Sequence, residues 1–173
     1  MIRRASPADA RTIAEINVLS FRAAYSEILP HDFLAGLSVA AREAAYQSRL
    51  QRDQEHAAPA WLAERDGRAI GYVSTGPPRD EDVPLPAAEI YALYVLPEAW
   101  RSGAGKALLS AAVDRWRARS SETLVLWVLE ANVAGRAFYE AMGWRPDGAR
   151  QEIDFGGFVR TEVRYRLELS PLA

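Results

Sequence analysis

Residues 89–109 read EIYALYVLPEAWRSGAGKALL, and this stretch decides the fold. Residues 90–96 are almost wholly apolar, aromatic or β-branched, which is typical of a central strand buried on both faces. Pro97 ends the strand because proline has no N–H to donate to a sheet. Gly103 and Gly105 then let the backbone approach a ligand closely, and a helix begins at once. The stretch therefore predicts a strand, a glycine turn and a helix N-terminus.

This helix N-terminus is a candidate anion site, because free N–H groups and the helix dipole favour a group such as pyrophosphate. A Walker loop does not match, since it requires glycine at Trp100 and Ser or Thr at Ala107. A dinucleotide fingerprint beginning at Gly103 does not match either, since its third glycine falls on Leu108. A tight turn whose glycines serve only packing stays an alternative.

A second segment, residues 125–144, has the same strand-then-helix organisation. Its apolar strand leads to Asn132, an N-cap whose side chain can accept a hydrogen bond from the N–H of Gly135. Apolar residues then recur at helical spacing, and Gly143 closes the helix. Helical geometry puts Tyr139 at the edge of the apolar stripe, so its hydroxyl need not be buried.

Together the two segments resemble the Gcn5-related N-acetyltransferase superfamily. The pattern x-x-x-G-x-G/A after a long central strand is similar to the family's loop for the pyrophosphate of acetyl-coenzyme A, and the Asn, F-Y and G-W are similar to its second motif. One departure is Trp100, where the family usually has Gln or Arg; backbone contacts are expected to preserve binding. The resemblance implies that the coenzyme-binding residues are Leu93, Tyr94, Val95, Arg101, Ser102, Gly103, Ala104, Gly105, Lys106 and Asn132.

The resemblance also implies catalytic roles. Tyr139 is expected near the coenzyme sulfur, where it protonates the leaving thiolate, with coenzyme packing as the alternative. The N–H of Val95, freed by a bulge in the strand, is expected to stabilise the thioester oxygen. Glu89 coincides with the general-base glutamate of the histone-type members, and a strand-edge carboxylate that only solvates the loop is the alternative.

The rest of the chain supplies the other elements of this fold. Residues 6–9 begin a first helix, a second follows around residues 39–52, and residues 60–75 form a hairpin. Residues 76–88 are a proline-rich acidic loop, which either caps the acceptor site or is disordered in solvent. We therefore expect residues 1–173 to form a single domain of mixed α/β class. Its sheet is mostly antiparallel, with about seven strands, helices on both faces and two splayed parallel central strands.

Composition excludes other function classes. A net charge of −2 without a Lys/Arg run argues against nucleic-acid binding. No membrane segment or signal peptide is evident, so a cytoplasmic location is expected. The chain has no cysteine, which excludes a cysteine nucleophile, and His31 and His56 lack metal-motif spacing, so no metal is expected.

The predicted function is therefore direct transfer of an acetyl group from acetyl-coenzyme A to a primary amine of an unidentified small molecule or peptide. Tyr25, Glu27 and Asp32 are polar residues that would attract an amine, with a solvated connector as the alternative. A non-catalytic acyl-coenzyme A sensor on the same fold is the alternative function, and a nucleotide-binding domain is a third. A homodimer is possible.

Overall fold

The computed structural model describes residues 1–51 and 59–169 in full and only the backbone of residues 52–56, so the His56 side chain lies outside the description. Within these residues the chain forms five α-helices and seven β-strands. The helices are α1 (Ala10–Ala24), α2 (His31–Ala35), α3 (Val39–His56), α4 (Ala104–Arg117) and α5 (Val133–Ala141), with 3₁₀ turns at Pro7–Asp9 and Pro97–Ala99. The strands are β1 (Ile2–Arg4), β2 (Ala60–Arg65), β3 (Arg68–Gly76), β4 (Ala87–Val95), β5 (Thr123–Leu129), β6 (Arg145–Asp154) and β7 (Val159–Glu168).

The described strands form one sheet in the order β1-β2-β3-β4-β5-β7-β6. Neighbours are antiparallel except β4 and β5, which run parallel. Their pairing stops at Ile90 and Leu126, although β4 continues to Val95 and β5 to Leu129. The two central strands diverge beyond this point, which confirms the predicted mixed sheet with splayed parallel strands.

Helices cover both faces of the sheet. Side chains alternate between the two faces along each strand, and both faces carry apolar side chains that pack against helices. Leu62 and Tyr72 belong to the apolar cluster formed with α1 and α3. Ala63 and Val73, their neighbours in sequence, belong to the cluster formed with α4, where Leu108 is fully buried. The predicted arrangement of helices on both faces is confirmed.

β4 carries a bulge at Tyr91. The register with β3 shifts between Ile90 and Ala92, so Tyr91 has no partner opposite it. Gly76 of β3 makes room for the aromatic ring, since a Cβ on Gly76 would lie 2.5 Å from ring atoms of Tyr91. A bulge of this kind turns two consecutive side chains toward one face, and Tyr91 and Ala92 do line the same cavity.

The loop between β3 and β4 is anchored, so of the two alternatives given for residues 76–88 the structure does not show disorder in solvent. Arg164 of β7, whose side chain is 5% exposed, forms ion pairs with Asp80 and Asp82 of the loop. Val83 is also buried. Because the Arg164 guanidinium is buried and needs these acceptors, the contacts hold the loop against the sheet.

One helix was not predicted. α2 spans only His31–Ala35, too short for a periodic pattern to identify. Its Leu34 is buried beside Tyr25 and Leu29, which connects the end of α1 to the end of β5. None of the helices in the described ranges has the length and apolar character needed to span a membrane.

Candidate active site

The turn between β4 and α4 has the glycine conformation that its sequence predicts. Gly103 is the N-cap of α4 and has a left-handed φ of 87°. A Cβ on Gly103 would meet no atom within 4 Å, so glycine is needed there for its backbone conformation and the space above it stays open. Arg101 also has a positive φ, 59°, which turns successive backbone groups around the loop.

Backbone donors at this turn are unpaired. The first hydrogen bond into the turn runs from the N–H of Ala107 to the carbonyl of Gly103, at 3.0 Å. Within the described ranges, the N–H groups of Arg101 and of residues 103–106 have no acceptor. Arg101 and Lys106 are exposed beside them. Unpaired N–H groups, the helix dipole and two cationic side chains are together suited to an anion.

The edge of β4 that faces β5 is open beyond the last paired residue. The N–H of Leu96 donates to the carbonyl of Ile70 on β3 at 2.8 Å, and successive N–H groups of a strand point to opposite edges. The N–H groups of Val95 and Leu93 therefore point into the gap between β4 and β5. β4 does carry a bulge, at Tyr91, and its pairing with β5 stops at Ile90 and Leu126, so the Val95 N–H has no partner on β5.

Trp100, the residue that departs from the family pattern, ties the loop to the strand. Its indole Nε1 donates to the carbonyl of Val95 at 2.7 Å, and Ser20 of α1 donates to the same carbonyl at 3.0 Å. The Trp100 side chain is still 48% exposed. Trp100 therefore holds the start of the turn against the end of β4 and leaves the turn exposed to solvent.

Asn132 caps α5 at the end of β5, as predicted. Its Oδ1 accepts a hydrogen bond from the N–H of Gly135 at 2.9 Å. Tyr25, at the end of α1, interacts with Asn132 and with Tyr94 of β4, and therefore lies between the two diverging strands. Burial raises the pKa of Tyr25. Glu27, by contrast, is exposed and lies outside this arrangement; Asp32 is exposed as well.

Tyr139 lies on α5 within an aromatic cluster. Its ring centroid is 5.3 Å from that of Phe138, 6.1 Å from Trp144 and 6.4 Å from Tyr165. No hydrogen-bond partner of its hydroxyl occurs in the part of the chain that the structure describes. Burial raises the pKa of Tyr139 above its ordinary value of 10.0, and Tyr25 acts in the same direction. The hydroxyl is therefore protonated at neutral pH and available as a donor.

Glu89 is fully buried and held by Arg79 of the loop. The Nε of Arg79 donates to Oε1 of Glu89 at 3.0 Å, its Nη2 donates to the same oxygen, and its backbone N–H donates to Oε2 at 2.9 Å. These hydrogen bonds raise the pKa of Arg79. The Arg79 side chain is 63% exposed, so it lies between the carboxylate and solvent.

A cavity of about 270 Å³ opens between α1, α3 and β4. It is lined by Asn17, Phe21, Arg42, Tyr46, Arg49, Arg79, Tyr91, Ala92 and Tyr94. Sequence reasoning missed most of these residues. Arg42, Tyr46 and Arg49 fall at i, i+4 and i+7 on one face of α3, and this spacing was the available signal. No comparable signal pointed to Arg79, because its position depends on how the loop folds.

Comparison with known proteins identifies the family. Residues 21–144 match the family model described as the acetyltransferase (GNAT) family, which covers well over half of the chain. The chain belongs to this acetyltransferase family. The uncharacterized N-acetyltransferase YuaI of Bacillus subtilis is 33% identical to this acetyltransferase over 141 residues, covering 81% of this chain and 77% of that protein.

Two further relatives bear on the fold of this acetyltransferase. The mycothiol acetyltransferase of Streptomyces griseus is 38% identical over 102 residues, but the match covers 59% of this chain and only 30% of that protein. The PaiA N-acetyltransferase of Thermoplasma acidophilum, solved in complex with coenzyme A, has a TM-score of 0.78 and 20% identity, with 98% of both chains covered. The second likeness supports the same fold over nearly the whole chain.

Proposed function

We propose that this acetyltransferase transfers the acetyl group of acetyl-coenzyme A directly to a primary amine of a small molecule or peptide. The observation that carries the proposal is the row of unpaired N–H donors at residues 103–106. They follow β4, whose edge toward β5 is open beyond Ile90. The donors suit a pyrophosphate and the open edge suits the amides of an extended pantetheine arm. The residues proposed to hold the coenzyme are Leu93, Tyr94, Val95, Arg101, Ser102, Gly103, Ala104, Gly105, Lys106 and Asn132.

The proposed reaction exchanges one bond to the acetyl carbon for another. Acetyl-coenzyme A supplies an activated thioester. The amine nitrogen forms a bond to the acetyl carbon, the carbon–sulfur bond breaks, and the amine loses a proton. The N–H of Val95 is the proposed donor to the thioester oxygen, since it is directed into the gap and negative charge develops on that oxygen.

Tyr139 is the proposed donor to the departing sulfur. A thiolate has a basicity near 8.5, whereas the pKa of Tyr139 lies above 10. Complete transfer of the phenolic proton to the thiolate is therefore uphill. We propose that the main contribution of Tyr139 is a hydrogen bond to the sulfur, which strengthens as negative charge develops there.

Glu89 stays the predicted general base, acting through water, and its ion pair with Arg79 adds a second proposed role, which is to position Arg79. Glu89→Gln separates the two. Loss of a base lowers kcat for every acceptor amine. Loss of positioning raises the KM for the acceptor and leaves kcat nearly unchanged.

A binding and turnover experiment tests the proposed function. Acetyl-coenzyme A at 100 times its dissociation constant is expected to stabilise the protein by about 2.7 kcal/mol, whereas a dinucleotide and a nucleoside triphosphate are not. A panel of primary amines is then assayed for release of the coenzyme thiol. Stabilisation without acetylation of any amine would indicate an acyl-coenzyme A sensor. The absence of stabilisation by acetyl-coenzyme A would overturn the proposal.

A further inference from the structure

We propose that the acceptor amine also carries an oxyanion, a carboxylate or a phosphate, and that Arg42, Arg49 and Arg79 bind this group. The inference rests on the proposed function, because it takes the cavity between α1, α3 and β4 as the acceptor site. It adds the chemical class of the substrate, which the family alone does not determine.

The cavity is lined by positively charged side chains. Arg42 and Arg49 reach it from α3, and Arg79 reaches it from the loop before β4. Among the described residues, the lining contains no Asp or Glu. Glu89 pairs with Arg79 behind the lining, and no ion pair of Arg42 occurs in the described part of the chain, so Arg42 supplies positive charge that no described carboxylate balances. An excess of positive charge in a partly enclosed site favours an anionic ligand.

Two of the guanidinium groups are held in place. The Cζ of Arg49 lies 4.2 Å from the ring centroid of Tyr91, and that of Arg79 lies 5.0 Å from the same centroid. An Nη2 donor of Arg49 also reaches the carbonyl of Thr75 at 3.3 Å. A planar guanidinium fixed in this way is suited to bidentate binding of a carboxylate or phosphate.

The floor of the cavity includes a buried amide. Asn17 is 3% exposed and donates from Nδ2 to the hydroxyl of Tyr72 at 2.8 Å. Its Oδ1 has no exposed surface and no hydrogen-bond partner in the described part of the chain, so a ligand reaches this oxygen only if the floor shifts. The guanidinium groups, rather than this amide, therefore carry the inference.

The size of the cavity limits the ligand. Its volume of about 270 Å³ is at the lower end of the range for small-molecule sites, roughly 300–1,000 Å³. This space suits a molecule of amino-acid size, in which amine and oxyanion are separated by a few bonds.

Matched acceptor pairs test the inference. L-Leucine is compared with L-leucinamide, and O-phosphoethanolamine with ethanolamine, by kcat/KM at saturating acetyl-coenzyme A. Since hydrogen bonds to a charged group are strong, we expect the anionic member of at least one pair to be favoured by about 10-fold or more. The pair that shows the preference identifies the oxyanion as carboxylate or phosphate.

Arg42→Gln is the decisive variant, because Arg42 does not contact Glu89. It is expected to reduce the preference for the anionic member to about 3-fold or less, mainly through the acceptor KM. Arg115→Gln is the matched control, since Arg115 is exposed on α4 and is expected to leave the preference unchanged. Equal rates for both members of each pair, or an equal loss for both in Arg42→Gln, would overturn the inference.

Calorimetry separates this inference from the proposed function. The complex of the protein with coenzyme A is titrated with the same four amines. If no amine is acetylated but an anionic amine binds selectively, and Arg42→Gln abolishes this binding, the proposed function fails and the oxyanion site stands. If acetylation occurs without any preference for anionic amines in rate or binding, the proposed function stands and the oxyanion site fails. If the amines neither react nor bind selectively, both fail.

Discussion

Replacing Tyr139 with Phe removes one hydroxyl group from the centre of the candidate site and leaves the aromatic ring. No protein group in the described ranges is hydrogen-bonded to this hydroxyl, and the ring contacts with Phe138, Trp144 and Tyr165 do not require it. We therefore expect the free energy of unfolding to change by no more than about 0.5 kcal/mol. Any large effect of the substitution must then arise during the reaction.

The size of the kinetic effect follows from the role of the hydroxyl. A hydrogen bond to a charged group contributes about 1.5–3 kcal/mol, which corresponds to a decrease in kcat of roughly 10- to 150-fold. A complete proton transfer contributes ~10²–10⁴-fold. Because the pKa of Tyr139 is raised above 10, we expect the smaller range. A loss beyond about 10³-fold would show that the hydroxyl acts as a full general acid.

The assay measures release of the coenzyme thiol at saturating acetyl-coenzyme A and acceptor, with coenzyme affinity measured separately by calorimetry. Tyr165→Phe is the matched control. Its hydroxyl donates to Glu140 at 2.6 Å and accepts from Arg136 at 3.0 Å, so its loss should lower stability and leave kcat nearly unchanged. Equal turnover of Tyr139→Phe and the unmodified protein would refute the reasoning, as would a loss of coenzyme affinity that matches the loss of turnover.

Three further predictions concern backbone and charge. Gly103→Ala puts a side chain on a residue with a φ of 87°, and this left-handed conformation costs about 1–2 kcal/mol for a residue with a Cβ. The melting temperature and the calorimetric affinity for the coenzyme should therefore both fall, and unchanged values would contradict this prediction. Gly135→Ala brings a Cβ to 2.6 Å from Nδ2 of Asn132 and so displaces the side chain that caps α5. Loss of the helix cap should lower the free energy of unfolding, measured by chemical denaturation, by about 0.5–2 kcal/mol. Equal denaturation midpoints for the variant and the unmodified protein would contradict this prediction. The hydrogen bonds from Arg3 lower the pKa of Asp9 to about 2, below its ordinary value of 3.8. The resulting stabilisation is present above pH 4 and is lost as the pH falls from 4 to 2, so Asp9→Asn should be less stable at pH 7 and lack this loss; superimposable stability curves would contradict it.

Local features of the site were predictable from the sequence. The turn at Gly103 and the cap at Asn132 depend on residues within a few positions of each other, and their residue types favour one conformation. The splayed strands were expected from the family resemblance, and the structure confirms them. The position of the bulge was not predictable, because Tyr91 is accommodated by Gly76, which belongs to another strand, and no pattern within β4 reports that contact.

The cavity between α1, α3 and β4 could not be predicted for the same reason. Arg42 and Arg49 share a helix face, but a polar helix face normally indicates solvent rather than a cavity. Arg79 lies within a segment rich in proline and charge, whose composition resembles disorder. Its contacts with the buried Glu89 and with the ring of Tyr91 bring it to the cavity, and the identity of Arg79 alone specifies neither partner.

The ion pairs between Arg164 and the loop before β4 have a consequence for folding. Asp80 and Arg164 are 84 positions apart in the chain, so their ion pair forms only when β7 has joined the sheet beside β5. Until then the two aspartates of the loop stay hydrated, and the segment that carries Arg79 has only part of its support. Contacts between residues so distant in sequence form slowly, because the intervening chain must first be ordered. The segment that carries Arg79 therefore reaches its final position late in folding.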